Sequence, residues 1–496
     1  MRLERCVEKG IRGLFVFLLA LNLFLCAFAE KVEERNAIGT GRYNILCMLV
    51  GLGVIILIAF FYVNKSLNND RLFLVVSSIL FFVILIFATH FYYFETGWDA
   101  GTVIWNAELL ADGKISELDN GYYSICTNNI ILTILFSFVI RIGRIIPIGT
   151  DYFVLIAFQC FCVVISSNII YKTALAFSFT KAGAHLSRFI FILLAGISPW
   201  MVLPYSDTVA MFFMVFILYL FATNNHPFVL GLIMLFGAMI KPTVLILSIA
   251  IALAKLPSFI RTNDKKTIIK RLLMFVVGAI IAYGICKWAI TASGFEIDHE
   301  KTLSPVHYFM MGLNENERGV VNVEDQFYSI EIEGYSERID ADLTVAGERL
   351  KELWPGRLIH HLLRKELYSF GDGTFAWGVE GQFFLTYIWT GHERIEDIFR
   401  NVYYPGRRYY GLFAGFMQSM WLGMILLSVI GAFLKNRNKF SVLYLTIVGM
   451  VLFEMMFEPR ARHLLLAVPI ICILASDAAF SVAARVKGMI GRNTKR

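Results

Sequence analysis

The chain is built from repeated apolar blocks of about 15–22 residues, the length at which a helix spans the hydrocarbon of a bilayer. Nothing else in the sequence constrains the fold as strongly. Charged residues make up only 17% of the 496 positions and hydrophobic ones 57%, less charge than a soluble domain carries. The fold class expected is an all-α polytopic membrane protein. It should have about 12 transmembrane helices, interfacial helices in the first long outer loop and a large outer loop before the last spans.

The blocks place spans at roughly 11–29, 44–63, 72–93, 150–171, 189–205, 208–222, 227–240, 242–256, 271–292, 413–433, 440–456 and 463–483. The basic start, the apolar run and Ala27-Phe28-Ala29 before Glu30 imitate a signal peptide. The run is longer than a signal core, so an uncleaved first span is expected. Ile130–Ile146 is apolar but carries Arg141 and Arg144. If it does not cross, the basic loops Lys65–Arg71, Lys172–Arg188, Lys255–Arg271, Lys435–Lys439 and the tail from Arg485 all fall on the N-terminal side. The positive-inside rule therefore reads it as a helix lying in the interface.

Four units follow: two extra N-terminal helices (1–71), a membrane module with an outer loop (72–292, loop 94–149), a large extracytoplasmic loop (293–412), and C-terminal helices with a basic cytoplasmic tail (413–496). The large loop is too long and varied for a connector and should form a cap. It contains His307-Tyr-Phe-Met-Met-Gly-Leu-Asn314. The net charge of +7 sits in short loops, which gives no reason to expect nucleic acid. Cysteine spacing suggests neither a zinc knuckle nor a disulfide framework.

Several polar residues meet on the expected outer face. Asp99, in Glu95-Thr-Gly-Trp98-Asp99-Ala-Gly-Thr102, sits where a lipid phosphate would present its reactive carbon, and Trp98 beside it reads as an interfacial anchor. Asp207 in Pro204-Tyr-Ser-Asp-Thr208 is either a helix cap or a site residue. Lys241-Pro242 interrupts an apolar stretch, so Lys241 either snorkels at a turn or meets a phosphate. Arg460 and Arg462, in Glu458-Pro-Arg-Ala-Arg-His463 near Glu454, are basic charges on the wrong face for simple flanks, and their planar forks suit phosphate oxygens. Gly371-Asp372-Gly373 through Trp377, with Glu380, reads as a sugar-binding stretch or as an ordinary turn. The loop histidines lack metal-site spacing, and no Gly-rich nucleotide loop is present.

The order of these features resembles the GT-C class of membrane glycosyltransferases, which includes protein O-mannosyltransferases and aminoarabinose transferases. The matching stretches are Trp98-Asp-Ala-Gly-Thr102, Asn128-Asn129, Asp207 after Ser198-Pro199, Met239-Ile-Lys-Pro-Thr243 and Arg460-Ala-Arg462-His463, with His463 where tyrosine is common in bacterial members. The resemblance covers about residues 72–480. It implies a sugar on a polyprenyl phosphate as donor, and a cell-envelope glycan, lipid or protein as acceptor, at the outer face of a bacterial plasma membrane with both termini cytoplasmic. Asp99 would be the base and Asp207 a supporting carboxylate. Lys241, Arg460, Arg462, Asn129, Asp372 and Glu380 would contact substrate. Some members use a divalent cation, which Asp99 and Asp207 would hold. The rival readings are an envelope-polysaccharide polymerase or ligase, a flippase for lipid-linked sugars, and a non-catalytic membrane scaffold.

Overall fold

The computed structural model describes residues 2–29, 41–63, 69–146, 149–224, 226–261, 264–381, 386–434 and 438–493. Glu30, Lys65, Lys435 and the last three residues of the tail, which figure in the expectations above, lie outside the described residues. The protein is an all-α polytopic membrane protein. Eight described helices are long and apolar enough to cross a membrane, and four shorter apolar helices accompany them.

Helices α1 (Arg2–Phe28) and α2 (Arg42–Val63) form a hairpin, closed where the Asn44 side chain donates to the Cys26 carbonyl at 2.8 Å. Helix α3 (Asp70–Tyr92) leads into a segment holding α4 (Asp99–Asp112), α5 (Asn120–Ile125) and α6 (Ile130–Ile145), and α7 (Asp151–Ala176) follows. By length and composition α6 qualifies as a span. At the start of α7 the Tyr152 hydroxyl donates to the Phe94 carbonyl, just past the end of α3. At the far end Tyr171 donates to Asp70, the first residue of α3, at 2.6 Å. Helices α3 and α7 are therefore antiparallel neighbours, and everything between them returns to the face it left. Arg141 donates to the Leu110 carbonyl and Arg144 pairs with Asp112 and Asp151, which hold α6 against α4 at that face. It is called the site face below.

Helix α8 (Lys181–Phe191) runs into a π turn at Ile192–Gly196 and an irregular stretch ending at Tyr205. This corrects the expected span at 189–205 and the expected basic loop at 172–188. The helix starts at Lys181, and Arg188 is buried within the bundle. Its guanidinium is satisfied by the hydroxyls of Ser77 and Ser78 on α3 and Ser167 on α7. Three short helices come next: α9 (Ser206–Ala222), α10 (Pro227–Ile240) and α11 (Leu245–Arg261), of 17, 14 and 17 residues. Lys255 lies inside α11 rather than in a loop. Helix α12 (Lys265–Ala292) crosses back, packed closely along α10 where Gly231 and Gly278 admit the partner backbone.

The large loop folds as a cap of five helices: α13 (Pro305–Gly312), α14 (Val323–Glu331), α15 (Tyr335–Leu353), α16 (Gly356–Phe370) and α17 (Glu393–Tyr403). Buried Arg338 ties the cap together by donating to the carbonyls of Ser329, Glu300, Thr302 and Ile332. Helix α16 leans on the membrane bundle, where Asn22 of α1 donates to Glu366 at 2.8 Å. A two-stranded ladder, β1 (Phe94–Glu95) with β2 (Thr386–Tyr387), fastens the cap to the chain leading into Asp99. Helices α18 (Tyr410–Leu434), α19 (Ser441–Met456) and α20 (Val468–Asn493) complete the bundle.

Candidate functional site

Two chain turns on the site face, both broken by proline, converge. Ser198–Tyr205 contains Pro199 and Pro204, and Lys241 precedes Pro242. Proline has no N–H to continue a helix and disfavours a helical residue before it, so both turns stop their helices at these points. The first turn is drawn down into the bundle: Gln159, two turns inside α7, donates to the Tyr205 carbonyl at 3.0 Å. Helix α9 then begins with Ser206 and Asp207.

Asp207 is 2% exposed and forms a buried ion pair with Lys241. Its second oxygen lies 3.6 Å from Arg462 Nε. It stands in the first turn of α9, whose N-cap Tyr205 makes no side-chain cap bond, and its carboxylate is taken up by the two cations. Arg462 comes from the turn between α19 and α20, and its guanidinium sits inside a box of aromatic rings. Its central carbon is 4.8 Å from the Trp98 ring, 5.0 Å from Trp200 and 5.4 Å from Tyr205. A desolvated guanidinium against ring faces gains about 2 kcal/mol per good contact. That gain does not saturate its N–H donors. Among the described residues Arg462 forms no hydrogen bond, and its Nε and the neighbouring Trp98 Nε1 are buried without a partner. Buried donors of this kind call for an acceptor.

Asp99 opens α4 directly after Trp98. It is exposed and makes no hydrogen bond among the described residues. Around it stand Tyr122, Cys126 and Tyr308. Burial raises the acid groups of all three, and the negative charge of Asp99 adds to the effect, taking Cys126 up to about 12. Tyr122 in turn accepts a hydrogen bond from the Asn129 amide at 2.6 Å. Asp99, Asn129, Asp207, Lys241 and Arg462 thus share one neighbourhood, linked through Trp98, Tyr122 and Tyr205.

Arg460 is placed differently. It bonds Glu458 at 2.6 Å and Glu380 at 3.3 Å, so its charge is balanced within the protein. Glu380 also accepts from Tyr368. Glu454 accepts from the Arg460 backbone N–H and from Ser369, and pairs with His463. Together these residues form a rigid wall beside Arg462. Asp372 is buried and turned inward. Its carboxylate accepts from the Thr374 N–H and hydroxyl and from the Ala376 N–H. This lets Phe375 and Ala376 take positive φ, at 58° and 61°. The Phe375 carbonyl then receives the Trp200 indole N–H at 2.9 Å. Asp372 therefore has the turn role, supporting the aromatic box from behind.

A family model described as a conserved hypothetical integral membrane protein matches residues 3–482. The chain belongs to that family. No curated protein and no solved structure matches it.

In this member of the family the acidic pair does not suit a divalent cation. Lys241 and Arg462 face Asp207 and would repel the metal, and no group of three His, Cys, Asp or Glu side chains with ligating geometry occurs among the described residues. The aromatic box leaves no pattern of its own in the sequence. Trp98 reads from sequence as an anchor, and nothing around Trp200 or Tyr205 marks them as its partners. The available signal was position, since Trp98 adjoins Asp99 and Tyr205 stands two residues before Asp207.

Proposed function

We propose that the protein transfers a sugar from a polyprenyl-phosphate donor to a cell-envelope acceptor hydroxyl on the site face. The observation that carries this reading is Arg462, a buried guanidinium with open donors, held by rings and steadied by the Lys241–Asp207 pair. That arrangement fits a phosphate oxygen. Asp99, with both oxygens open, fits a general base nearby.

In this scheme Asp99 takes the proton of the acceptor hydroxyl as its oxygen attacks the anomeric carbon. The bond from that carbon to the phosphate oxygen breaks, and the leaving polyprenyl phosphate gains negative charge. Arg462, backed by Lys241, stabilises the charge where it develops. Trp98 presents a ring beside the base, and rings of this kind stack on sugars. The localisation that goes with this function is a bacterial plasma membrane, with the basic loops and both termini in the cytoplasm.

The test is reconstitution of the purified protein with a radiolabelled polyprenyl-phosphate sugar and a panel of envelope acceptors. Transfer by the wild type and its loss in Asp99→Asn and Arg462→Gln is the expected result. Donor that moves between leaflets without being consumed would replace the reading with a flippase.

A further inference from the structure

On the face opposite the site, an open pocket of about 590 Å³ is lined by Asn69, Asp70, Arg71, Leu72, Val75 and Lys181. It lies at the boundary end of α3. Leu72 and Val75 are 60% and 48% exposed, and the row continues outward along α3 with Val76, Ile79 and Leu80, so this wall faces lipid tails. The mouth of the pocket therefore opens at the level of the headgroups.

The charges in and behind the pocket do not cancel. Among the described residues lining it Asp70 is the only carboxylate, and both its oxygens are occupied: one by His185 Nε2 at 2.7 Å, the other by the Tyr171 hydroxyl at 2.6 Å. Lys181 is 3.9 Å from Asp70, beyond hydrogen-bond reach, and is 60% exposed. Arg71 has no ion pair or hydrogen bond among the described residues and is exposed. Positions 181, 185 and 188 fall one and two turns apart on α8, so Lys181, His185 and Arg188 form one stripe against α3. Arg188, deeper on that stripe, is 4% exposed and is held by serine hydroxyls with no carboxylate beside it among the described residues. An ionised arginine in a bundle interior without a counter-ion is costly, and an anion at the pocket mouth would offset its field.

We infer that this pocket binds the phosphate headgroup of an anionic phospholipid, with Arg71 and Lys181 on the phosphate and Leu72 and Val75 along the acyl chains. The site is separate from the Arg462 neighbourhood and does not depend on the reading of its chemistry. The apolar wall selects a lipid over free phosphate. Arg71, unpaired among the described residues, and Lys181, paired to Asp70 only through a long and exposed contact, select an anionic lipid over a zwitterionic one, with about five-fold in affinity per cation.

The experiment uses the full-length protein in detergent micelles, titrated separately with phosphatidylglycerol, phosphatidylcholine and inorganic phosphate. Thermal unfolding and retained lipid by native mass spectrometry are the two readouts. Phosphatidylglycerol should raise the unfolding temperature and remain bound, phosphatidylcholine and phosphate should do neither, and added salt should weaken the effect. Arg71→Gln/Lys181→Gln should lower the lipid affinity more than ten-fold, while the charge-keeping Arg71→Lys/Lys181→Arg retains it. Should the Gln pair not fold, the charge-keeping pair and the lipid comparison on the wild type still decide. An equal response to phosphatidylcholine, a full response to phosphate alone, or undiminished binding by the Gln pair would overturn the inference.

Discussion

Lys241 and Asp207, 34 positions apart in sequence, form an ion pair that is almost wholly enclosed, with side-chain exposures of 12% and 3%. Each sits where proline or a helix start breaks the regular backbone. Their pairing fixes the tops of α9 and α10 against one another and places Arg462 beside them.

Removing one member should therefore cost more than removing both. Asp207→Asn leaves Lys241 and Arg462 buried together with no carboxylate between them and should destabilise the protein by about 3 kcal/mol. Lys241→Met with Asp207→Asn should recover most of that loss. Thermal unfolding of the two variants in the same detergent makes the comparison, and equal losses would show that the pair is not coupled.

Asp99→Asn tests chemistry without disturbing the fold, because Asp99 is exposed and holds nothing in place among the described residues. The unfolding temperature should stay at the wild-type value, while the rate of sugar transfer falls by about 10²–10⁴-fold, the range for a lost general base.

Trp98→Ala removes one of the three rings around Arg462. The loss of about 1 kcal/mol of cation–π attraction should weaken donor binding about five-fold. Trp98→Phe should keep most of the affinity. Donor titration in the transfer assay separates the two, and identical KM values for Ala and Phe would remove the ring from the binding account.

Asp372→Ala should act on stability alone. It strips acceptors from the buried Thr374 and Ala376 N–H groups and should cost about 3 kcal/mol. Transfer per folded molecule should stay near wild type. A fall in activity with unfolding unchanged would return Asp372 to the substrate.

Glu366 makes stability depend on pH. Burial pushes its carboxyl up to about 8; the hydrogen bond from Asn22 opposes the rise and Glu454 adds to it. With the folded value above the unfolded one, its contribution is fully present below about 4.5 and is lost as pH rises through about 8. Wild type should therefore lose unfolding temperature relative to Glu366→Gln between pH 5 and pH 8.5. A flat difference across that range would contradict the buried carboxyl.

How much of this could be read from sequence depends on the kind of force involved. Charge asymmetry across the bilayer is a property of the chain itself. It was enough to put Asp99, Asp207, Lys241 and Arg462 on one face, where Asp207 meets both Lys241 and Arg462. The aromatic box was not legible, because Trp98, Trp200 and Tyr205 meet only when three turns close on Arg462. Arg188 misled for a related reason. An arginine near a membrane edge reads as a loop charge, and only the serines of α3 and α7, far away in sequence, make its burial tolerable. Asp372 likewise looked available for substrate until the positive-φ residues it supports came into view.

The shortness of α9, α10 and α11 has one more consequence. A 14-residue helix is about 21 Å long, against about 30 Å of hydrocarbon. A helix this short leaves about 9 Å of the hydrocarbon unspanned, and with its other end at the headgroups the turn carrying Lys241 would lie at the floor of a dent in the leaflet. On the function proposed above, a phosphate reaching Arg462 would sink below its neighbours and shed part of its water. Hydrophobic mismatch would thus govern substrate access, with a thicker bilayer setting the floor further from the headgroups and a thinner one lifting it toward them.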